Sequence, residues 1–199
     1  MSEDPLIEQL AEMSTLEEVY DVAKDCVRCP LSQSRTRVVF GDGGSRTKLM
    51  FVGEAPGEQE DLQARPFVGR AGKFLDQLIK LAGLERSKVY ITNTVKCRPP
   101  SNRKPRKAEM EKCNPYLKKQ IEVIKPQVIC ILGSTSLEAL LGKTSPISEL
   151  RGKPVEKEGI TYFVTFHPAA TLYNPAAKGE IEKDMLSLKE LLEKKKIKI

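Results

Sequence analysis

Two cysteine pairs, a lone histidine and three polar motifs carry most of the chemistry open to this chain. Cys26 and Cys29 form C-x2-C within "CVRCPLSQSRTRVVFGDGGSRT", a loop-like stretch broken by Pro30 and the turn "GDGG". Cys97 and Cys113 follow far downstream as C-x15-C, on either side of a stretch rich in Pro, Lys and Arg. Four thiols in loops or at a helix start, if they converge, make a tetrathiolate site for zinc or an iron–sulfur cluster. A zinc ribbon usually shows two close pairs, so the wide second spacing tilts the reading towards a cubane cluster. Four unrelated thiols are the alternative that spacing leaves open. A redox dithiol at Cys26 and Cys29 is disfavoured, because no strand–helix unit presents it. Cys130 lies within the apolar run "QVICILG" and reads as a small core hydrophobe. His167, in "YFVTFHPAATLYNP", is pinned by the proline that follows it. Its three readings are a metal ligand, a hydrogen-bonding group in a site and a structural residue.

These residues need elements to bring them together. Apolar runs at 48–53, 88–93, 127–133 and 160–166 are continuous rather than alternating, the pattern of strands covered on both faces. Amphipathic stretches at 72–84, 107–124 and 134–142 separate them, and a last helix is predicted over 178–196. Two further helices are predicted at 5–13 and 15–24, the second capped by Ser14 or Thr15. Pro115 predicts a late start or a kink in the 107–124 helix. Strands interleaved with helices give an α/β fold, a four-stranded parallel sheet flanked by helices on both faces. Residues 1–199 are expected to form a single domain. In open α/β sheets ligands collect at the carboxyl ends of the strands. Here those ends read "GEAPG", "NTVKCRPP", "GSTS" and "HPAA", which places His167 where a site belongs.

Composition narrows the class. Hydrophobic residues make up 40% and charged residues 30%, and Lys+Arg 33 against Asp+Glu 27 gives a formal charge of +6. That basic excess is compatible with a polyanionic partner without identifying one. No apolar run is long enough for a membrane span, and "MSEDPLIEQL" lacks the build of a signal peptide. A cytoplasmic, reducing location is therefore expected, in which disulfides are the less expected use of the cysteines.

Taken together, "GEAPGEQEDLQARPFVGRAG" (53–72), "TNTVKCRPPSNRKP" (92–105) and "HPAATLYNP" (167–175), with Cys26, Cys29, Cys97 and Cys113, closely resemble the family 4 uracil-DNA glycosylases. These are iron–sulfur enzymes of thermophilic bacteria and archaea. The resemblance implies a three-layer uracil-DNA glycosylase fold and hydrolysis of the N-glycosidic bond of uracil in DNA, leaving an abasic site. It also implies a structural 4Fe–4S cluster on the four cysteines. By motif position, Phe67 stacks on the extruded base, and Asn93 reads the base edge with an amide that offers a donor and an acceptor together. Glu54, Ala55 and Pro56 match the stretch facing the sugar and base. Glu54 would position water or stabilise positive charge on the sugar. His167 matches the histidine that bonds O2 of the departing base, so that Glu54, Asn93 and His167 form the implied catalytic set. Glu60 takes the position that crowds the C5 edge and excludes thymine, although a solvated acid in "EQED" is the plainer reading. Leu172 or Tyr173 would be the wedge that fills the gap left by the flipped base. Many family members carry a basic residue where this chain has Tyr173, which weakens a phosphate contact at that position.

The implied partner is uracil-containing DNA, single- or double-stranded, met by a monomer. The basic run "KCRPPSNRKPRK" (96–107), with Arg65 and Arg70, is the expected phosphate-facing surface. The tail "LLEKKKIKI" matches no recognisable sliding-clamp motif, so a clamp interaction has no support. Rival readings are a glycosylase with a broader taste for deaminated bases, a non-catalytic metal-stabilised nucleic-acid binder and a cysteine redox sensor. Polar residues at three strand ends speak against mere binding.

Overall fold

Each apolar run forms a strand because helices cover both of its faces. The computed structural model describes residues 4–199. Strands β1 (Leu49–Gly53), β2 (Tyr90–Asn93), β3 (Val128–Leu132), β4 (Pro154–Lys157) and β5 (Ile160–Thr165) form one sheet in the order β2-β1-β3-β5-β4. The first four in that order are parallel. Met50 and Val52 of β1 point into one core with Tyr90, Ile129, Ile131 and Val164, whereas Leu49 and Phe51 point into the other with Ile91, Cys130, Leu132 and Phe163. Cys130 is fully buried there, as its place in an apolar run predicts.

The first core is closed by α1 (Pro5–Ala11), α2 (Leu16–Ala23), α5 (Lys107–Ile124), α6 (Ser134–Leu141) and the single turn α7 (Ile147–Leu150). The second is closed by α4 (Arg70–Leu81) and α8 (Ala177–Lys194). A short helix, α3 (Glu58–Gln63), lies between β1 and α4. Thr15 begins α2 with a capping box: its hydroxyl accepts from the Glu18 N–H, and the Glu18 carboxylate accepts from the Thr15 N–H.

The sheet has five strands rather than the four that the apolar runs predict. β4, "PVEK", is exposed and polar, so hydrophobicity does not announce it. It pairs antiparallel with β5 through the two-residue turn Glu158–Gly159, both at positive φ (52° and 78°), the geometry of a tight hairpin. α5 runs unbroken from Lys107 to Ile124 through Pro115, forgoing one backbone bond rather than starting late. The single-turn α7 and the short α3 lack the length that makes periodicity readable. Among the described residues, no helix is long and apolar enough to cross a membrane.

The chain end folds back on the body. Ile197 and Ile199 pack against the second core, and the Ile197 N–H donates to the Leu192 carbonyl at 2.9 Å. One buried polar network ties α8 to the end of β5. Asp184, in α8, accepts from the Thr165 hydroxyl at 2.6 Å and from the Arg151 guanidinium at 2.9 and 3.1 Å. Burial pushes the Asp184 carboxyl up, and these bonds oppose the shift. Removing the carboxylate leaves the buried Thr165 hydroxyl without its acceptor and the largely buried Arg151 with Glu180 as its one remaining counter-ion among the described residues. Asp184→Ala is expected to cost about 3 kcal/mol of stability, measured by urea unfolding.

Candidate active site

The ends of β1 and β2 approach as closely as they do because residue 53 has no side chain. A Cβ on Gly53 would come within 2.5 Å of both the Asn93 Oδ1 and the Phe67 ring. The two strand ends are then stitched together: Thr94 N–H donates to the Gly53 carbonyl at 2.8 Å and Val95 N–H to the Glu54 carbonyl at 3.2 Å. Glu54, one residue past β1, has its carboxylate bonded by the Thr135 hydroxyl from the first turn of α6.

Phe67 sits at φ 52°, a left-handed backbone that an aromatic residue adopts only when its surroundings impose it. Arg86 supplies that constraint, donating to the Phe67 carbonyl at 2.9 Å and the Pro66 carbonyl at 2.6 Å while Asp76 holds the guanidinium at 2.8 Å. Gly72 is the counterpart on α4, since a Cβ there would collide with the Phe67 carbonyl group at 2.0 Å. Glu60 Oε1 accepts from the N–H groups of Val68 at 2.8 Å and Gly69 at 2.7 Å, fixing the loop on its other side. The Phe67 ring lies 5.5 Å from the His167 ring at 30° between planes.

His167 follows β5 and starts a 3-10 turn over Pro168–Leu172. Its Nδ1 accepts from the Ala169 N–H at 3.1 Å, which leaves the proton of the neutral ring on Nε2. That Nε2 is buried without a partner, and so is Asn93 Oδ1. Gly133, at φ 93°, permits this placement, because a Cβ there would lie 3.1 Å from the His167 Cβ. Burial pulls the imidazole down to about 4, with the Glu60 charge opposing.

These groups share one cavity of about 440 Å³, within the range of small-ligand sites. Glu54, Ala55, Pro56, Glu60, Phe67, Asn93 and His167 all line it, and Leu172 and Tyr173 stand on its rim, 41% and 88% exposed. Every residue that the motifs put forward for base handling is therefore in or at this pocket. Three contributors were missed by motif reading: Thr135, Arg86 and Lys96. For Thr135 the signal was available, since "GSTS" ends a strand.

The basic run does not act as one surface. Lys96 is only 2% exposed, and its ammonium donates inward to Thr92 Oγ1 at 2.6 Å and the Asn93 carbonyl at 2.7 Å. Arg103 forks onto the buried Glu109 at 2.7 and 2.8 Å, and Arg65 pairs with Asp42 at 2.8 Å. Arg70, Arg103 and Asn102 line the pocket, while Lys104, Arg106 and Lys107 are exposed nearby in the chain.

Behind the strand ends, Cys26, Cys29, Cys97 and Cys113 line a second, small cavity with Arg28, Arg35, Lys96, Lys112 and Tyr116. Among the described residues, no three histidine, cysteine or acidic side chains converge to hold a single metal ion. The Lys96 backbone N–H donates to Cys113 Sγ at 3.3 Å, and the Arg35 guanidinium donates to Cys97 Sγ at 3.3 Å and to the Cys26 carbonyl at 2.6 Å. Arg28 Nη1 is buried there without a partner. Cations and N–H donors around four thiols suit a ligand-bound group of net negative charge.

The sequence profile of the uracil DNA glycosylase superfamily matches residues 40–189, a span holding the whole pocket. A type-4 uracil-DNA glycosylase of Sulfurisphaera tokodaii is 47% identical over 90% of this chain and 86% of its own length. The chain belongs to the type-4 uracil-DNA glycosylases. A second of that name, from Saccharolobus solfataricus, is 44% identical over 93% of this chain and 90% of its own. One from Thermotoga maritima is 46% identical over 81% and 88%. The uracil-DNA glycosylase fold thus agrees with the α/β sheet expected from the apolar runs, with β4 added at its edge.

The buried neutral histidine makes stability depend on pH. In the unfolded chain His167 titrates near pH ~6.5, and in the folded chain at about 4. Between those values the unfolded chain binds the extra proton, so stability falls as pH falls through that window, by at most about 1.4 kcal/mol per pH unit from this residue. His167→Asn is expected to flatten the slope between pH ~6.5 and ~4 relative to wild type, as read from urea unfolding at stepped pH.

Proposed function

We propose that this glycosylase takes an extruded uracil between Phe67, Asn93 and His167 and hydrolyses its bond to deoxyribose. One observation carries the reading. Asn93 Oδ1 and His167 Nε2, both partnerless and buried, open on the same cavity beside one aromatic ring. Buried polar atoms without partners are rare and costly, and a bound ligand is one way of satisfying them. Uracil fits the vacancies. Its N3–H donates to Asn93 Oδ1, its O4 accepts from the same amide, and its O2 accepts from the His167 Nε2–H. Cytosine presents an acceptor at N3 and donors at C4, so the same amide meets it with the wrong polarity.

The chemistry is displacement at C1′. Water oxygen bonds to C1′, the C1′–N1 bond breaks, its electron pair leaves with the base, and the proton the water gives up ends on the departed uracil anion. Negative charge spreads to O2, where the neutral imidazole donates. A neutral donor is what the depressed basicity of His167 supplies across ordinary pH. Glu54, oriented by Thr135, faces the sugar, where a carboxylate stabilises developing positive charge and orients the attacking water. Glu60 stands at the pocket wall on the C5 side. Leu172 and Tyr173 enter the duplex from the rim. A monomer acting on single- or double-stranded DNA accords with one complete pocket in one chain.

The four cysteines hold a 4Fe–4S cluster in this reading. When bound, the cluster cross-links the Cys26–Cys29 loop to the segment that leaves Asn93, and adds negative charge among Arg28, Arg35 and Lys112. Anaerobically purified protein is expected to contain about four irons per chain, measured by metal analysis. Cys113→Ala should lose the iron and Cys130→Ala should keep it; iron retained in the first variant would refute the assignment.

The deciding assay uses an oligonucleotide with one deoxyuridine beside controls carrying cytosine or thymine. Cleavage at uracil after alkali is expected, and an intact strand at high enzyme concentration would remove the proposal. His167→Ala should slow the reaction by about a hundredfold to a thousandfold with DNA binding nearly unchanged. Asn93→Asp should relax discrimination against cytosine.

A further inference from the structure

Lys96 stands between the two cavities, lining the one with the cysteines while its side chain holds the backbone of Asn93, which lines the other. Its backbone N–H donates to Cys113 Sγ at 3.3 Å, and its carbonyl accepts from the Val39 N–H at 2.8 Å. Its side chain then turns back under β2, where the ammonium meets the Asn93 carbonyl at 2.7 Å and Thr92 Oγ1 at 2.6 Å. The Thr92 hydroxyl spends its own proton on the Phe40 carbonyl at 2.7 Å, so its oxygen is free to accept from Lys96. Gln120 closes the same network, donating to the Phe40 carbonyl and the Tyr90 hydroxyl, each at 2.9 Å. No ion pair joins the Lys96 ammonium to a carboxylate among the described residues, although it lies fully inside the protein.

A lysine buried to hold a carbonyl is an expensive way to end a strand, unless that carbonyl matters. Here it belongs to the residue whose amide meets the base. We propose that Lys96 is a positioning residue: it fixes the Asn93 backbone so that the amide stands ready for uracil, and it transmits the order of the cysteine segment to that amide. Recognition by a single amide depends on its orientation, and an orientation is only as fixed as the backbone beneath it. The cysteine loops therefore serve base reading through one side chain, at no contact with the base. This inference rests on the uracil reading of the pocket.

The test compares Lys96→Met, which keeps the length and loses the donors, with wild type, Asn93→Ala and the double variant. Iron content, kcat and KM on the uracil oligonucleotide, and inhibition by free uracil are measured for each. Lys96→Met should keep its iron, because the main-chain N–H that reaches Cys113 remains. Its KM for DNA should stay within about twofold, while kcat falls about tenfold to a hundredfold and free uracil inhibits less. In the Asn93→Ala background the same change should cost nothing more, since the amide it serves is gone. Wild-type kcat in Lys96→Met would overturn the inference. So would a loss of kcat that tracks loss of iron, or effects that simply add. Thr92→Val probes the tie from its other end should Lys96→Met not fold: lowered kcat with iron intact supports the tie, and wild-type kcat refutes it. Wild-type protein that leaves the uracil strand intact would instead refute the functional reading itself.

Discussion

The site depends on a steric constraint at Gly53, where the absence of one methyl group lets an amide and an aromatic ring close over a strand end. Everything around that point is built to exploit the closeness. Gly72 admits the Phe67 carbonyl to α4, Arg86 holds the strained Phe67 backbone, and Gly133 admits His167 from a neighbouring strand. Backbone strain of this kind persists only where surrounding bonds over-determine it, and it clusters at functional sites. The pocket is therefore largely formed before a ligand arrives.

Much of this was legible in the sequence, and the reason is geometric. Continuous apolar runs identify parallel strands because helices bury both faces, and parallel strands put all their carboxyl ends on one side. Once "GEAPG", "NTVKCRPP" and "HPAA" are strand ends, Glu54, Asn93 and His167 fall on one side of the sheet, and the strand order brings them to one pocket. What stayed hidden depends on side-chain direction rather than on spacing. Lys96 sits within a run of cations and reads as one of them, yet a lysine in such a run can turn either way, and here it turns inward. Arg86 looks like a surface residue between α4 and β2, and its grip on two carbonyls has no one-dimensional signature. β4 escaped for a different reason: an exposed edge strand has no apolar face to betray it.

The polar interior divides the labour between committed and uncommitted groups. Asp184, Glu109 and Glu60 are each held by two or more neighbouring donors and act as rigid fasteners. Asn93 and His167 are left open in the same environment, where each vacant bond is worth more than it would be in water. A site of this kind selects by the bonds it withholds as much as by those it makes.

The hairpin that carries β4 has a consequence for the sheet as a whole. A parallel sheet ends in a row of unpaired N–H and C=O groups at each side, ready to recruit a strand from another molecule. On one side β4 takes the exposed position with Pro154, Glu156 and Lys157, a short strand with charge and a proline that offers poor pairing. On the other, Asp42 bridges back to Ile91 and occupies part of the edge of β2. Growth from chain to chain is thus discouraged at both margins by a few polar residues, and the four buried strands are not offered as a template.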